Sequence, residues 1–174
     1  RQIAAARNAG AAVARGDIFV FVDADTLVNA EVVQGVVLAM SAGAVGGGAA
    51  IRFDEPTPRY SRMPLAILNQ SCRWFHWAAG AFIFCDRRAF EAAGGVDRRL
   101  FAAEEIYFSR AMRKRGRFVI LRETVVTSGR KMRTHSAWEI LWTALRIGIA
   151  GPWGVRNRRR LGLWYGERRK ERVT

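Results

Sequence analysis

Cysteine is nearly missing from this chain of 174 residues, and the two present, Cys72 and Cys85, sit in apolar surroundings without metal-ligand spacing. That argues against a disulfide scaffold or a zinc site, and both thiols are expected as reduced core residues. No uncharged apolar run reaches the roughly 18 residues that cross a bilayer, and no signal peptide is visible. Internal repeats and low-complexity segments are lacking too. The expected location is cytoplasmic, either soluble or peripheral at the inner face of the membrane. A starting methionine is also missing: the chain begins at Arg1 and opens directly into an alanine-rich helical pattern, so a truncated N-terminus is expected.

Carboxylates are outnumbered, 15 against 29 lysines and arginines, which leaves a net charge of +14. Such an excess favours polyanionic partners: nucleic acid, acidic lipid or a nucleoside diphosphate. Much of it lies after Arg156, in Arg158-Arg159-Arg160 and Arg168-Arg169-Lys170, so the tail carries it more than the core.

Half of the residues are hydrophobic, and a chain of this length buries roughly two thirds of its unfolded surface, enough for one core. The patterning predicts a helix over Gln2 to Arg15, a strand over Ile18 to Val22 buried on both faces, a helix over Ala30 to Met40, and a glycine-rich strand from Ala44 to Phe53. Helical spacing resumes from Tyr60 to Trp77. A strand follows at Gly80 to Cys85, then a short helix at Arg87 to Ala93 and a turn at Gly94-Gly95-Val96-Asp97. The last pair is a helix from Ala103 to Arg115, stopped by Gly116, and a strand from Arg117 to Val126. This alternation predicts an α/β sandwich. Beyond Ser136, Trp138, Leu141, Trp142, Leu145 and Ile149 recur at helical spacing, predicting an amphipathic helix followed by a basic tail.

Asp23-Ala24-Asp25 closes the first strand. Two carboxylates at alternate positions project to one side and can share one hard cation, with oxygen-only ligands favouring magnesium or manganese over zinc. The alternative is that Asp25 or Thr26 caps the following helix while Asp23 is solvated. Glu104-Glu105 opens a helix, where acids complement the helix dipole or where one serves as a general base; helical phase does not decide which glutamate faces a cleft. Ser128-Gly129-Arg130-Lys131 offers amides, a hydroxyl and two cations at another strand end, suited to phosphate oxygens or to a solvated turn. His135 is a weak candidate for a metal or phosphate contact, and His76, between Phe75 and Trp77, is expected packed or at a cleft rim.

Arg7-Asn8-Ala9-Gly10, then Ala14-Arg15-Gly16-Asp17, then Phe21-Val22-Asp23-Ala24-Asp25 resemble the second half of the nucleotide-binding region in family 2 glycosyltransferases of GT-A fold. Gly80 to Phe84, Arg87-Arg88-Ala89-Phe90, Gly94-Gly95-Val96-Asp97 and Glu104-Glu105 resemble that family's acceptor-side strand, glycine turn and acidic pair. The likeness spans Arg1 to Arg133, and the family's first strands and early aspartate motif have no counterpart before Arg1.

The resemblance implies a partial, GT-A-like (Rossmann-like) mixed sheet sandwiched by helices over residues 1–133, with an amphipathic helix and basic tail over 134–174. It implies an inverting glycosyltransferase that moves a sugar from a nucleotide-sugar donor to a hydroxyl of a lipid or glycan acceptor. Separately, the amphipathic segment from Ala137 to Ile149, with Pro152-Trp153-Gly154 and the basic tail, is expected either to rest on an anionic membrane surface or to cover the sheet as a plain helix. Asp23 and Asp25 would bind a divalent cation (Mg or Mn). Glu105, or Glu104, would be the catalytic base, Asp17 would support the loop, and Arg130 with Lys131 would steady the diphosphate. The family more often has aspartate where Glu105 stands. Trp74, Trp77 and the Gly94-Gly95 turn are where a sugar or acceptor would pack, with plain core packing the equal alternative. Two other readings stand beside this one: a non-catalytic remnant of the same fold, and a basic nucleic-acid-binding module using Trp164 and Tyr165 among arginines.

Overall fold

Alanines at Ala4 and Ala11 with Arg7 between them form the buried stripe of helix α1 (Ile3–Val13), whose small side chains let the helix lie close on the sheet. The chain then enters strand β1 (Ile18–Val22), turns, and makes a two-residue strand β2 (Thr26–Leu27) before helix α2 (Ala30–Ser41). Strand β3 (Ala44–Phe53) follows, then a single 3-10 turn at Arg59–Ser61, helix α3 (Arg62–Phe75), strand β4 (Phe82–Asp86) and the short helix α4 (Arg87–Ala92). Helix α5 (Glu104–Arg113), strand β5 (Arg117–Thr127) and a five-residue helix α6 (Arg130–Thr134) follow. The computed structural model describes residues 2–136 together with Trp138, Glu139, Trp142, Val155, Arg156 and Leu161. The predicted amphipathic helix and basic tail otherwise lie outside the described residues, as do Trp164 and Tyr165.

The five strands form one mixed sheet in the order β1-β4-β3-β5-β2. Only β3 and β5 run parallel; the other three pairings are antiparallel. Alternation along each strand feeds two cores. Ile83, Cys85 and Phe118 meet α1, α4 and α5 through Ala4, Ala11, Phe90, Phe108 and Met112. Phe82, Phe84, Ile51 and Val125 meet α2 and α3 through Val32, Val36 and Cys72. Helices thus cover both faces, as the alternating pattern implies. Both thiols are free and buried, and burial pushes Cys72 up to about 11 and Cys85 up to about 12.

Gly46, Gly47 and Gly48 let the central strands approach. A Cβ on Gly47 would stand 2.2 Å from the Val119 carbonyl oxygen and 2.6 Å from the Phe84 ring, and one on Gly48 would stand 2.8 Å from the Ala78 Cβ. Past the end of β4, the Asn69 side chain acts as a substitute strand partner for β3: it accepts from Ile51 N–H at 3.0 Å and donates to Ile51 C=O at 2.9 Å.

Three expectations are corrected. β1 is an edge strand, not one buried on both faces; among the described residues it pairs with β4 alone, and Ile18, Val20 and Val22 are exposed. Helix α2 is capped by Asn29, whose side chain accepts from Val32 N–H at 3.0 Å, and by neither Asp25 nor Thr26. Thr26 belongs instead to β2, too short for period-two patterning to reveal. Gly116 is not a left-handed helix stop: α5 ends at Lys114 in right-handed geometry, and the glycine is needed because a Cβ there would lie 2.5 Å from Val45 Cγ1.

Candidate active site

The chain leaves β1 into a tight turn rather than continuing extended. Asp23 N–H donates to Ala81 C=O at 3.1 Å, and Thr26 N–H returns to Asp23 C=O at 3.0 Å. The far side of the turn is held by β5: Ser128 N–H donates to Asp25 C=O at 3.2 Å, and the Thr26 and Thr127 hydroxyls are 3.0 Å apart. The two aspartates are therefore brought together by a pinned turn, not by strand alternation. Both line a cleft of about 440 Å³, with Asp23 half-buried and Asp25 exposed.

Arg7 reaches this cleft from α1. Its guanidinium donates to Glu104 Oε1 at 3.0 Å, to Gly80 C=O at 2.7 Å and to Asp23 Oδ1 at 3.4 Å. Arg7 and Glu104 are both nearly inaccessible, 8% and 4% exposed, so this is a buried ion pair in which each charge depends on the other. Loss of water, opposed by Arg7 and aided by the neighbouring Asp25 charge, holds the Asp23 carboxyl above its usual range.

Glu105 lines the same cleft and has no ion-pair partner among the described salt bridges. Burial first, and the adjacent Glu104 carboxylate second, raise its carboxyl to about 7. Its position is fixed through the backbone. Ser109 Oγ donates to Glu105 C=O at 2.7 Å and accepts from Ala78 N–H at 2.9 Å, tying the first turn of α5 to the segment before β4. Ala103, just before the acid pair, adopts left-handed backbone at φ 56°, a conformation that costs a non-glycine residue free energy.

Arg130 and Lys131 line the opposite wall from α6. Lys131 is exposed at the mouth yet crowded by protein, and desolvation lowers its ammonium despite attraction from Asp25, Asp23 and Glu105. Asp54, at the end of β3, anchors this helix: it accepts from Gly129 N–H at 2.6 Å and from Arg133 Nη1 at 2.8 Å, and those bonds lower its carboxyl pKa.

The structure thus gathers Asp23, Asp25, Glu104, Glu105, Arg130 and Lys131 around one cleft. Asp17 is not among them: it lies at the opposite end of β1, exposed, with its carbonyl accepting from Arg87 N–H at 2.8 Å. Trp77 lines the cleft, whereas Trp74 falls on the outer face of α3 because it lies two residues beyond buried Cys72. The Gly94-Gly95 turn borders a separate cavity, since Asn8 clamps it there with paired 2.9 Å bonds to Val96. His76 is an exposed left-handed residue ending α3, and His135 bonds Thr134 Oγ1 at 2.9 Å; neither lines the cleft.

Arg7 and Asp54 are positioning groups to which the sequence reading gave no role, although Arg7 opens the Arg7-Asn8-Ala9-Gly10 stretch quoted above. Arg7 carried a signal, a lone cation on the buried phase of an alanine helix between Ala4 and Ala11. Asp54 carried none, because it stands in the irregular segment after β3 and its partners lie 75 or more residues away.

Among the described residues no group of three or more His, Cys, Asp and Glu side chains is arranged to hold a metal. Two hard carboxylates at a cleft still fit magnesium or manganese, which commonly bind through one or two carboxylates and take their remaining ligands from substrate phosphates and water. Burial chiefly raises the Asp23 carboxyl and the neighbouring Asp25 charge adds to it, and a cation between the two carboxylates would relieve that mutual repulsion.

No curated protein matches the chain. The family model described as Glycosyl transferase family 2 matches residues 1–96, which takes in Arg7, both aspartates and the Gly94-Gly95 turn but ends before Glu104.

Proposed function

Since the chain belongs to glycosyl transferase family 2, we propose that it carries the acceptor-side and diphosphate-side chemistry of an inverting, metal-dependent transfer from a nucleotide-sugar to a hydroxyl of a lipid or glycan. Membership supports glycosyl transfer in general, and the mixed sheet with its helices is consistent with a partial GT-A-like domain. The observation that carries the finer reading is the convergence of Asp23, Asp25, Glu105, Arg130 and Lys131 on one cleft.

In this reading Glu105 accepts the proton of the acceptor hydroxyl as its oxygen bonds to the anomeric carbon. The bond from that carbon to the diphosphate breaks with its electron pair leaving on the phosphate oxygen. Attack from the face opposite the leaving group inverts the configuration. Glu105 suits the role because its carboxyl, raised to about 7, is basic enough to take a proton yet ionised at slightly alkaline pH. Glu104 does not share it: the buried bond to Arg7 holds that carboxylate in place. Arg130 and Lys131 offset charge building on the diphosphate. Asp23 and Asp25 are the residues that would hold a divalent cation, which when bound supplies further neutralisation of that charge. The location we propose is cytoplasmic; no helix among the described residues is long and apolar enough to cross a membrane.

The test is titration calorimetry of the full chain with a panel of nucleoside diphosphates in manganese. We expect binding to at least one, weakened by at least about tenfold when Asp23 and Asp25 are both changed to alanine or when the metal is chelated. Binding that ignores both changes would remove the basis for the metal-assisted reading.

A further inference from the structure

Helix α3 presents two unlike faces. Inward, Leu65, Asn69 and Cys72 pack on β3 and its core. Outward, Met63, Ile67 and Trp74 fall on one helical stripe and are 71%, 58% and 71% exposed. Leu68, also exposed, lies about 100° round the helix from Ile67 and lines the cleft, so the stripe and the cleft occupy different sides of α3. An exposed apolar patch of this kind on a soluble domain marks a contact surface.

Charge identifies the occupant. No aspartate or glutamate occurs between Glu55 and Asp86, a span that includes all of α3. Arg62 and Arg73 are exposed on the helix itself. At its C-terminal end Arg110 lies over the Trp77 ring at 5.2 Å, and Arg113 donates to Phe75 C=O at 2.9 Å. Aliphatic and indole side chains flanked by guanidinium groups, with no carboxylate on the helix, are the composition of an interfacial helix. The apolar stripe enters the acyl boundary while arginines meet lipid phosphates.

We infer that the outer face of α3 docks on an anionic lipid bilayer, with Met63, Ile67 and Trp74 inserted and Arg62 and Arg73 on the headgroups. This contact is separate from the one expected of the 137–149 segment, and it needs no sugar or nucleotide, so its success or failure is independent of the transfer reading.

The full chain is to be sedimented with vesicles of phosphatidylcholine alone and with vesicles carrying about a quarter phosphatidylglycerol. Co-sedimentation is expected with the anionic vesicles only, and it falls as salt rises. Combining Met63→Ser, Ile67→Ser and Trp74→Ser reduces the bound fraction constant by at least about tenfold with an unchanged circular dichroism spectrum, since all three side chains are already exposed. Arg62→Gln with Arg73→Gln weakens binding to the anionic vesicles without altering the fold. The inference is overturned if the unaltered chain stays in the supernatant, or if neutral vesicles bind it equally. It is also overturned if the triple variant sediments as well as the unaltered chain, which would give the contact to the basic tail. A lipid-free dimer that the triple variant abolishes would assign the stripe to a second copy instead.

Discussion

Two adjacent glutamates at the start of α5 meet opposite fates. Glu104 is paired with Arg7, while for Glu105 water loss and the like charge of Glu104 outweigh the attraction of Arg7, and its carboxyl rises to about 7. If Glu105 is the base, transfer requires its ionised form. The rate should then fall about tenfold per pH unit below 7 and level off above it, and Glu105→Gln should lose at least about a hundredfold at every pH while binding of a nucleoside diphosphate survives. A flat pH profile in initial-rate measurements, or a fully active Gln variant, would count against the assignment. The same raised value carries a stability consequence of definite sign. Because the folded carboxyl holds its proton more tightly than the unfolded one, this group favours folding below the ordinary carboxylate range and loses that contribution as pH rises through about 7. The identities of the acids were legible in the sequence; their division of labour was not, since it is decided by an arginine 97 positions away.

Among the elements, most were legible, the six-residue α4 included, and β2 and α6 were not. The interiors of α1, α3, β4 and β5 follow from hydrophobic patterning, and β3 from its glycine-rich composition between two helices. β2 and α6 escape it, because two and five residues hold too few turns of any period, and each exists through distant partners: β5 for β2, Asp54 for α6. That dependence makes α6 vulnerable. Changing Asp54 to alanine removes the bonds to Gly129 and Arg133, and since the carboxylate is 41% exposed the stability loss should stay under about 1 kcal/mol. The effect on function should be larger: with Arg130 and Lys131 no longer held to the wall, affinity for nucleoside diphosphate should drop by about tenfold. Urea titration and calorimetry on one preparation separate the two, and equal losses in both would reduce Asp54 to a purely structural residue.

At the scale of the whole molecule, Arg7 joins α1 to the segment before β4 through Gly80, to the turn after β1 through Asp23, and to α5 through Glu104. Replacing it by methionine leaves Glu104 buried and unpaired, and should cost about 3–5 kcal/mol in chemical denaturation. Adding Glu104→Gln to that variant should recover much of the loss; a single Arg7→Met variant as stable as the parent would show the pair to be dispensable. The helix-on-both-faces architecture was legible from element order, whereas the edge position of β1 was not, because apolar content does not distinguish a central strand from a border one. The glycine contacts of β3 have a final consequence. With the strand backbone already against Val119, Phe84 and Ala78, the sheet behind Ala78, which lines the cleft, behaves as an anvil that does not yield. Tolerance toward molecules of different girth must therefore reside in the front wall, in α6 and the cleft-facing end of α3, and retuning selectivity means altering those two helices and leaving the sheet alone.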